Sequence, residues 1–128
     1  MESEIVLDAS AILALLKGER GADLVLAALD RAAVSCVSVA EVQGKLVGAG
    51  LDRQAAWERI AILGCRTVPF NDDLARETGS LVAATHPYGL SLGDRACLAL
   101  AIERHATVYT TDREWTRLGL GLKIEVIC

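Results

Sequence analysis

The sequence predicts an α/β fold in three layers, a mostly parallel central sheet of four to five strands with helices on both faces. Three observations carry that expectation. Short β-branched runs alternate with helical patterns along almost the whole chain, an order that yields parallel strands joined by helical crossovers. The first apolar run, Ile5-Val6-Leu7, is continuous, as in a strand buried on both faces, and Asp8 follows it with no spacer. The longest apolar run, Ala96 to Ile102, lies in a helical stretch that is apolar nearly all round and so belongs near the centre.

Strand one, Glu4 to Asp8, leads through Ser10 into a helix from Ala11 to about Lys17, which Gly18 and Gly21 end. A second short helix runs from Asp23 to about Leu29. Val34 to Val37 is the next β-branched run, and Ser38-Val39-Ala40-Glu41 behind it has the form of a capping box ahead of Val42 and Leu46. Gly48 and Gly50 end this helix, Asp52 caps the next, and Ala56, Ile60 and Leu63 supply its buried stripe. A short strand lies within Arg66 to Phe70. Asn71 then caps a helix whose apolar face is Leu74, Thr78, Leu81 and Val82, and a loop spans Thr85 to Gly89. Ser91-Leu92-Gly93-Asp94 repeats the capping-box pattern in front of the central helix, with His105 in its last turn. Ala106 to Tyr109 is the fourth strand, with Thr110-Thr111-Asp112 at its carboxyl end; Arg113 to Leu118 makes a last short helix and Lys123 to Cys128 a closing strand.

A chain of 128 residues with 52% hydrophobic content builds one domain, residues 1–128, with a real core. No apolar run approaches the roughly 20 residues of a membrane helix, and Glu2 and Glu4 stand where a signal peptide is basic, so the expectation is a soluble, cytoplasmic protein. Cys36, Cys65, Cys97 and Cys128 have no zinc-site spacing and read as ordinary thiols. The net charge of −4 argues against a protein whose whole surface is built to hold phosphate backbones, yet leaves room for a local site.

Four acidic residues share one topological address. Asp8 and Asp112 end strands, while Glu41 and Asp94 sit in first turns of helices that start at the same edge of the sheet. Each has a structural explanation of its own, Glu41 and Asp94 as capping-box members, Asp112 as a helix cap and Asp8 as a turn former. Taken together they suggest chemistry. Anions ~4 to 6 Å apart repel by roughly 3 to 4 kcal/mol per pair at an effective dielectric near 20, so such a cluster takes up protons or holds a cation. With oxygen donors only, Mg²⁺ or Mn²⁺ is favoured over zinc.

Asp8-Ala9-Ser10 after strand one, Glu41 behind Ser38, Ser91-Leu92-Gly93-Asp94 opening an apolar helix, and Thr110-Thr111-Asp112 after strand four together resemble a PIN domain. In length and layout the chain looks like the VapC toxins of toxin-antitoxin pairs. The resemblance implies an endoribonuclease dependent on Mg²⁺ or Mn²⁺, carried on Asp8, Glu41, Asp94 and Asp112. Ser10 and Thr110 or Thr111 match the family's hydroxyl positions, where they would hydrogen-bond the carboxylates or metal-bound water; an N-cap for Ser10 and strand-end bonds for the threonines are the alternatives. Arg95 and Arg113, beside two of the carboxylates, are candidate contacts for substrate phosphate, with surface salt bridges as the other explanation. The same resemblance implies an RNA substrate, a homodimer, and a small VapB-like antitoxin whose C-terminal segment lies over the groove. Trp57 is a candidate contact for that antitoxin, with core packing as the alternative. A PIN-fold module that binds RNA or protein without cutting it is the competing reading of the whole chain.

Overall fold

Every neighbouring pair of strands runs parallel, in the order β3-β2-β1-β4-β5, which puts the first strand at the centre of the sheet. The structure is a computed structural model that describes residues 4–128. Strand β1 (Ile5–Leu7) pairs with β2 (Ala32–Ser35) on one side and with β4 (Thr107–Thr110) on the other; β3 (Arg66–Val68) and β5 (Ile124–Val126) are the edges. The chain therefore builds outward through β2 and β3, then crosses back over β1 to start β4. That reversal lies between β1 and β4, and ligands of open α/β sheets bind at the carboxyl ends of strands at such a switch point.

Burial follows the pleat, because successive side chains of a strand face opposite ways. Ile5 and Leu7 pack with Ile12, Leu13, Val34, Val39, Val42 and Leu46, on the face covered by α1 (Ala9–Leu16), α2 (Ala22–Ala28), α3 (Cys36–Gly48) and α4 (Arg53–Ala61). Val6 and Val108 pack the other way, with Leu74, Leu81, Leu98, Leu100 and Trp115, under α5 (Asp72–Ser80), α6 (Val82–Thr85) and α7 (Leu92–Arg104). Helix α7 is buried at every position from Ala96 to Ala101, as its apolar circumference predicts, and the sheet is the three-layered α/β arrangement expected. No helix among the described residues is long and apolar enough to cross a membrane.

Several local expectations are corrected. Helix α1 begins two residues earlier than its apolar pattern suggests: Asp8 is its cap, accepting the Ala11 N–H, and Ser10 lies inside the first turn. Helix α3 begins at Cys36 with Ser35 as its cap, so Ser38 and Glu41 form no capping box; Ser38 is buried in the first turn and Glu41 stands in the second. Core packing of Val39, Val42 and Leu46 further along the helix overrides the strand preference of Cys36-Val37, of which Cys36 is itself exposed. His105 follows α7 in the left-handed region at φ 51, closing the helix rather than belonging to its last turn. Val82, assigned to the apolar face, is 41% exposed; the last short helix is present as a 3-10 helix over Arg113–Arg117. The cap at Ser91 is the reciprocal box that the sequence predicts, with Asp94 Oδ2 accepting the Ser91 N–H at 2.9 Å.

Candidate active site

Asp8 stands at the switch point, directly after β1. It leaves β1, its N–H still bonded to the Tyr109 carbonyl of β4 at 3.2 Å, and its carboxylate is buried to 4% exposure. Three donors hold it. Oδ1 accepts the Ser10 hydroxyl at 2.7 Å and the Ala11 N–H at 2.8 Å, and Oδ2 accepts the Thr110 hydroxyl at 2.6 Å. Each hydroxyl is in turn oriented from the backbone, because the Thr111 N–H donates to Ser10 Oγ at 3.0 Å and the Asp112 N–H to Thr110 Oγ1 at 3.1 Å. The loop after β4 thus aims two hydroxyl protons at a carboxylate carried by β1. Thr110 supplies a side chain to this network, and Thr111 supplies a main-chain donor.

All three partners of Asp8 are neutral. Burial therefore raises its pKa, the hydrogen bonds from Thr110, Ser10 and Ala11 oppose that rise, and the charge of Asp94 adds to it. Glu41 is raised by its own burial first and by Asp94 and Asp8 as well, with Lys45, one turn further along α3, pulling the other way. Beneath them the wholly buried thiol of Cys97 is pushed well up, by burial and by the charges of Asp8, Asp94 and Glu41. Three carboxylates from β1, α3 and α7 thus act on one another and on one buried atom. Glu41 lies against Gly93, the buried second residue of α7.

The other acidic residue stands apart from this set. Asp112 is exposed and caps the following 3-10 turn, its Oδ1 accepting the Glu114 N–H at 3.0 Å; its tie to Asp8 runs through its own N–H and Thr110. Asp94 is likewise turned back onto Ser91. Among the described residues no three His, Cys, Asp or Glu side chains form a ready-made cage for a metal ion. The donor chemistry nonetheless suits a hard divalent cation. It is all oxygen, it includes a buried carboxylate with no cationic partner among its hydrogen bonds, and the two outlying carboxylates are held only by cap bonds that side-chain rotation releases.

The two arginines have other partners. Arg95 Nη1 donates to the Leu90 carbonyl at 2.8 Å, and Arg95 lies roughly 200° round α7 from Gly93, on the side away from Glu41. Arg113 Nη2 donates to the Cys128 carbonyl at 3.0 Å. Trp57 is 48% exposed and borders a small apolar pocket with Ile12, Val39, Ile60, Leu63 and Cys65. Sequence reasoning missed Gly93 and Cys97, although Cys97 is one helical turn beyond Asp94, a spacing that puts both on one face. It also missed Ser38, whose buried hydroxyl has no hydrogen-bond partner among the described residues.

The family model for the PIN domain matches residues 5–120. Among solved structures, the chain is similar to VapBC-5 of Mycobacterium tuberculosis, a member of the VapBC family of toxin-antitoxin systems, at 27% identity and a TM-score of 0.63 over 98% of each chain. It is similar to a toxin-antitoxin complex from Klebsiella pneumoniae at 25% identity and a TM-score of 0.68, over 92% of this chain and 93% of that one. It shares its fold with Mycobacterium tuberculosis VapC20, a sarcin-ricin loop cleaving toxin, at 18% identity and a TM-score of 0.73, over 91% of this chain and 95% of that one. No curated protein matches the chain.

Proposed function

From the premise that the chain belongs to the PIN domain family, we propose that it is a metal-dependent endoribonuclease, the toxin of a VapBC-type toxin-antitoxin pair. The observation that carries this reading is the buried Asp8 carboxylate at the switch point, fixed by three neutral donors and sharing its field with Glu41 and Asp94. A protein gains nothing in stability by burying an uncompensated carboxylate beside two others. A bound divalent cation removes that cost.

Asp8, Asp94 and Asp112, with Glu41, are the residues that would hold Mg²⁺ or Mn²⁺. Lewis acidity toward a scissile phosphodiester, and a lowered pKa for the attacking water, are what the cation supplies when bound. The chain's own residues do the rest. Ser10 donates to Oδ1 and Thr110 to Oδ2 of Asp8, which fixes the carboxylate's orientation and leaves a lone pair on Oδ2 for a cation. Glu41 lies at the first turn of α7, where it can hold or orient a water for in-line attack. Asp94 and Asp112 join by rotating off their caps. In this reading Arg95 and Arg113 reach substrate phosphate only by leaving the carbonyls they now hold.

The substrate is RNA. The partner is a VapB-like antitoxin whose C-terminal segment covers the carboxylates, the working form is a homodimer of chains that each fold residues 1–128 as one domain, and the compartment is the cytoplasm. A second reading, a PIN-fold module that binds RNA or protein without cutting it, is favoured by the engagement of Asp94 and Asp112 in caps. Incubating total cellular RNA with the purified, antitoxin-free protein in Mg²⁺ or Mn²⁺ separates the two. The nuclease produces discrete fragments that vanish with EDTA and in Asp8→Asn; intact RNA from folded protein under either metal selects the binding module.

A further inference from the structure

We propose that Gly93 is a positioning residue: the missing side chain on the second residue of α7 is what lets the Glu41 carboxylate lie across that helix, and Glu41 reaches the acidic site only through that gap. A Cβ built on Gly93 falls inside the van der Waals envelope of Glu41 Oε1 and Cδ and 3.0 Å from Oε2. The other helical glycines, Gly44, Gly48 and Gly79, have open space where their side chains would be. Gly93 has no positive φ to require glycine either. Local preference points the other way, since alanine is the best helix former and glycine among the worst. The requirement is therefore set by the neighbouring helix.

Glu41 is otherwise loosely held. Among the described residues no hydrogen bond fixes its carboxylate, and Lys45 is the cation whose charge acts on it. Its place is determined by shape, with α3 behind it and the bare Cα of Gly93 beneath. The crowded atoms are the far end of a flexible side chain. A methyl group at position 93 is accordingly accommodated by the carboxylate swinging away, with both helices left where they are. Such a variant keeps the fold and loses one donor from the acidic set.

The inference deepens the nuclease reading and rests on it for the metal. Gly93→Ala should weaken Mn²⁺ binding by about tenfold, the lower end of what removing a ligand's support costs, and slow RNA cleavage, while the metal-free protein melts at the same or a higher temperature. In a Glu41→Ala background, where no carboxylate remains to displace, Gly93→Ala should leave Mn²⁺ affinity unchanged. Equal losses in both backgrounds, or undiminished affinity in the single variant, overturn the proposal. If the wild-type protein binds no Mn²⁺ at all, the nuclease reading fails on its own. The ¹³C resonance of the Glu41 side-chain carboxyl in metal-free protein then decides: a shift in Gly93→Ala sustains the positioning role, and an unmoved resonance overturns it.

Discussion

Thr110 Oγ1 stands 2.6 Å from Oδ2 of Asp8, joining two residues 102 positions apart in sequence. Both groups are buried, and the threonine hydroxyl also accepts the Asp112 N–H, so one oxygen atom serves the carboxylate of β1 and the backbone of the loop after β4. Thr110→Val keeps the shape and removes both bonds. The expected cost is about 1 to 3 kcal/mol in urea denaturation, since a buried carboxylate oxygen and an N–H each lose a partner. Thr110→Ser should recover most of it. Cleavage should fall with Val and return with Ser; a valine variant as stable and active as the wild type would remove Thr110 from the site.

The raised pKa of Asp8 gives stability a definite pH dependence. An aspartate titrates near about 3.9 in an unfolded chain, and in the folded chain burial holds Asp8 above its ordinary value. Its contribution is thus fully present below the unfolded pKa and is lost as pH rises through the folded one. Glu41 behaves the same way. Glu4 runs opposite: its hydrogen bond to Arg104 lowers its pKa, so its contribution is present above the unfolded value and fades as pH falls through the folded one. In metal-free protein, Asp8→Asn should gain on the wild type as pH rises from about 3.9 and then run parallel to it. A pH-independent gap between the two unfolding curves would contradict the shift.

Because the excess negative charge is an unfolding force without a cation, Mg²⁺ or Mn²⁺ should raise the melting temperature and EDTA should reverse the rise. Calorimetry on Asp8→Asn, lacking the central charge, should show little of this effect. An equal rise in both proteins would locate the cation elsewhere.

Asp94 and Asp112 have a capping role that can be separated from chemistry. Asparagine caps about as well as aspartate, so Asp94→Asn and Asp112→Asn should keep stability within a few tenths of a kcal/mol while abolishing cleavage. Alanine at either position should cost about 1 kcal/mol in addition. Activity surviving in both asparagine variants would leave these residues as caps alone.

Trp57 offers a surface test of the antitoxin reading. With half of its surface exposed at an apolar pocket, Trp57→Ala should leave thermal stability nearly unchanged and reduce capture of the co-expressed antitoxin in a pull-down. Unchanged capture would direct the antitoxin to another face.

The elements that were legible in the sequence were those whose signal is local. Ile5-Val6-Leu7 is apolar on both faces and Asp8 ends it; Ser91 and Asp94 satisfy one another within one turn. The start of α3 was not legible, because Cys36-Val37-Ser38-Val39 has a strand's composition and becomes helical by packing, which moves Glu41 into the second turn. Residue types and spacing also leave side-chain rotation open, so the turn of Asp94 and Asp112 onto their caps had no sequence signal. The same holds for Gly93, whose reason for being glycine is a side chain on another helix.

The pairing of β1 with β4 also sets a timetable. The strand that pairs with β1 through Ile5↔Thr107 and Leu7↔Tyr109, and the hydroxyl that completes the carboxylate's shell, leave the ribosome about a hundred residues after Asp8. Contacts this distant in sequence form late, after the loop between them has closed. A nascent chain that has already folded β1, β2 and β3 still carries half a crevice. The crevice is complete only once β4 has docked beside β1.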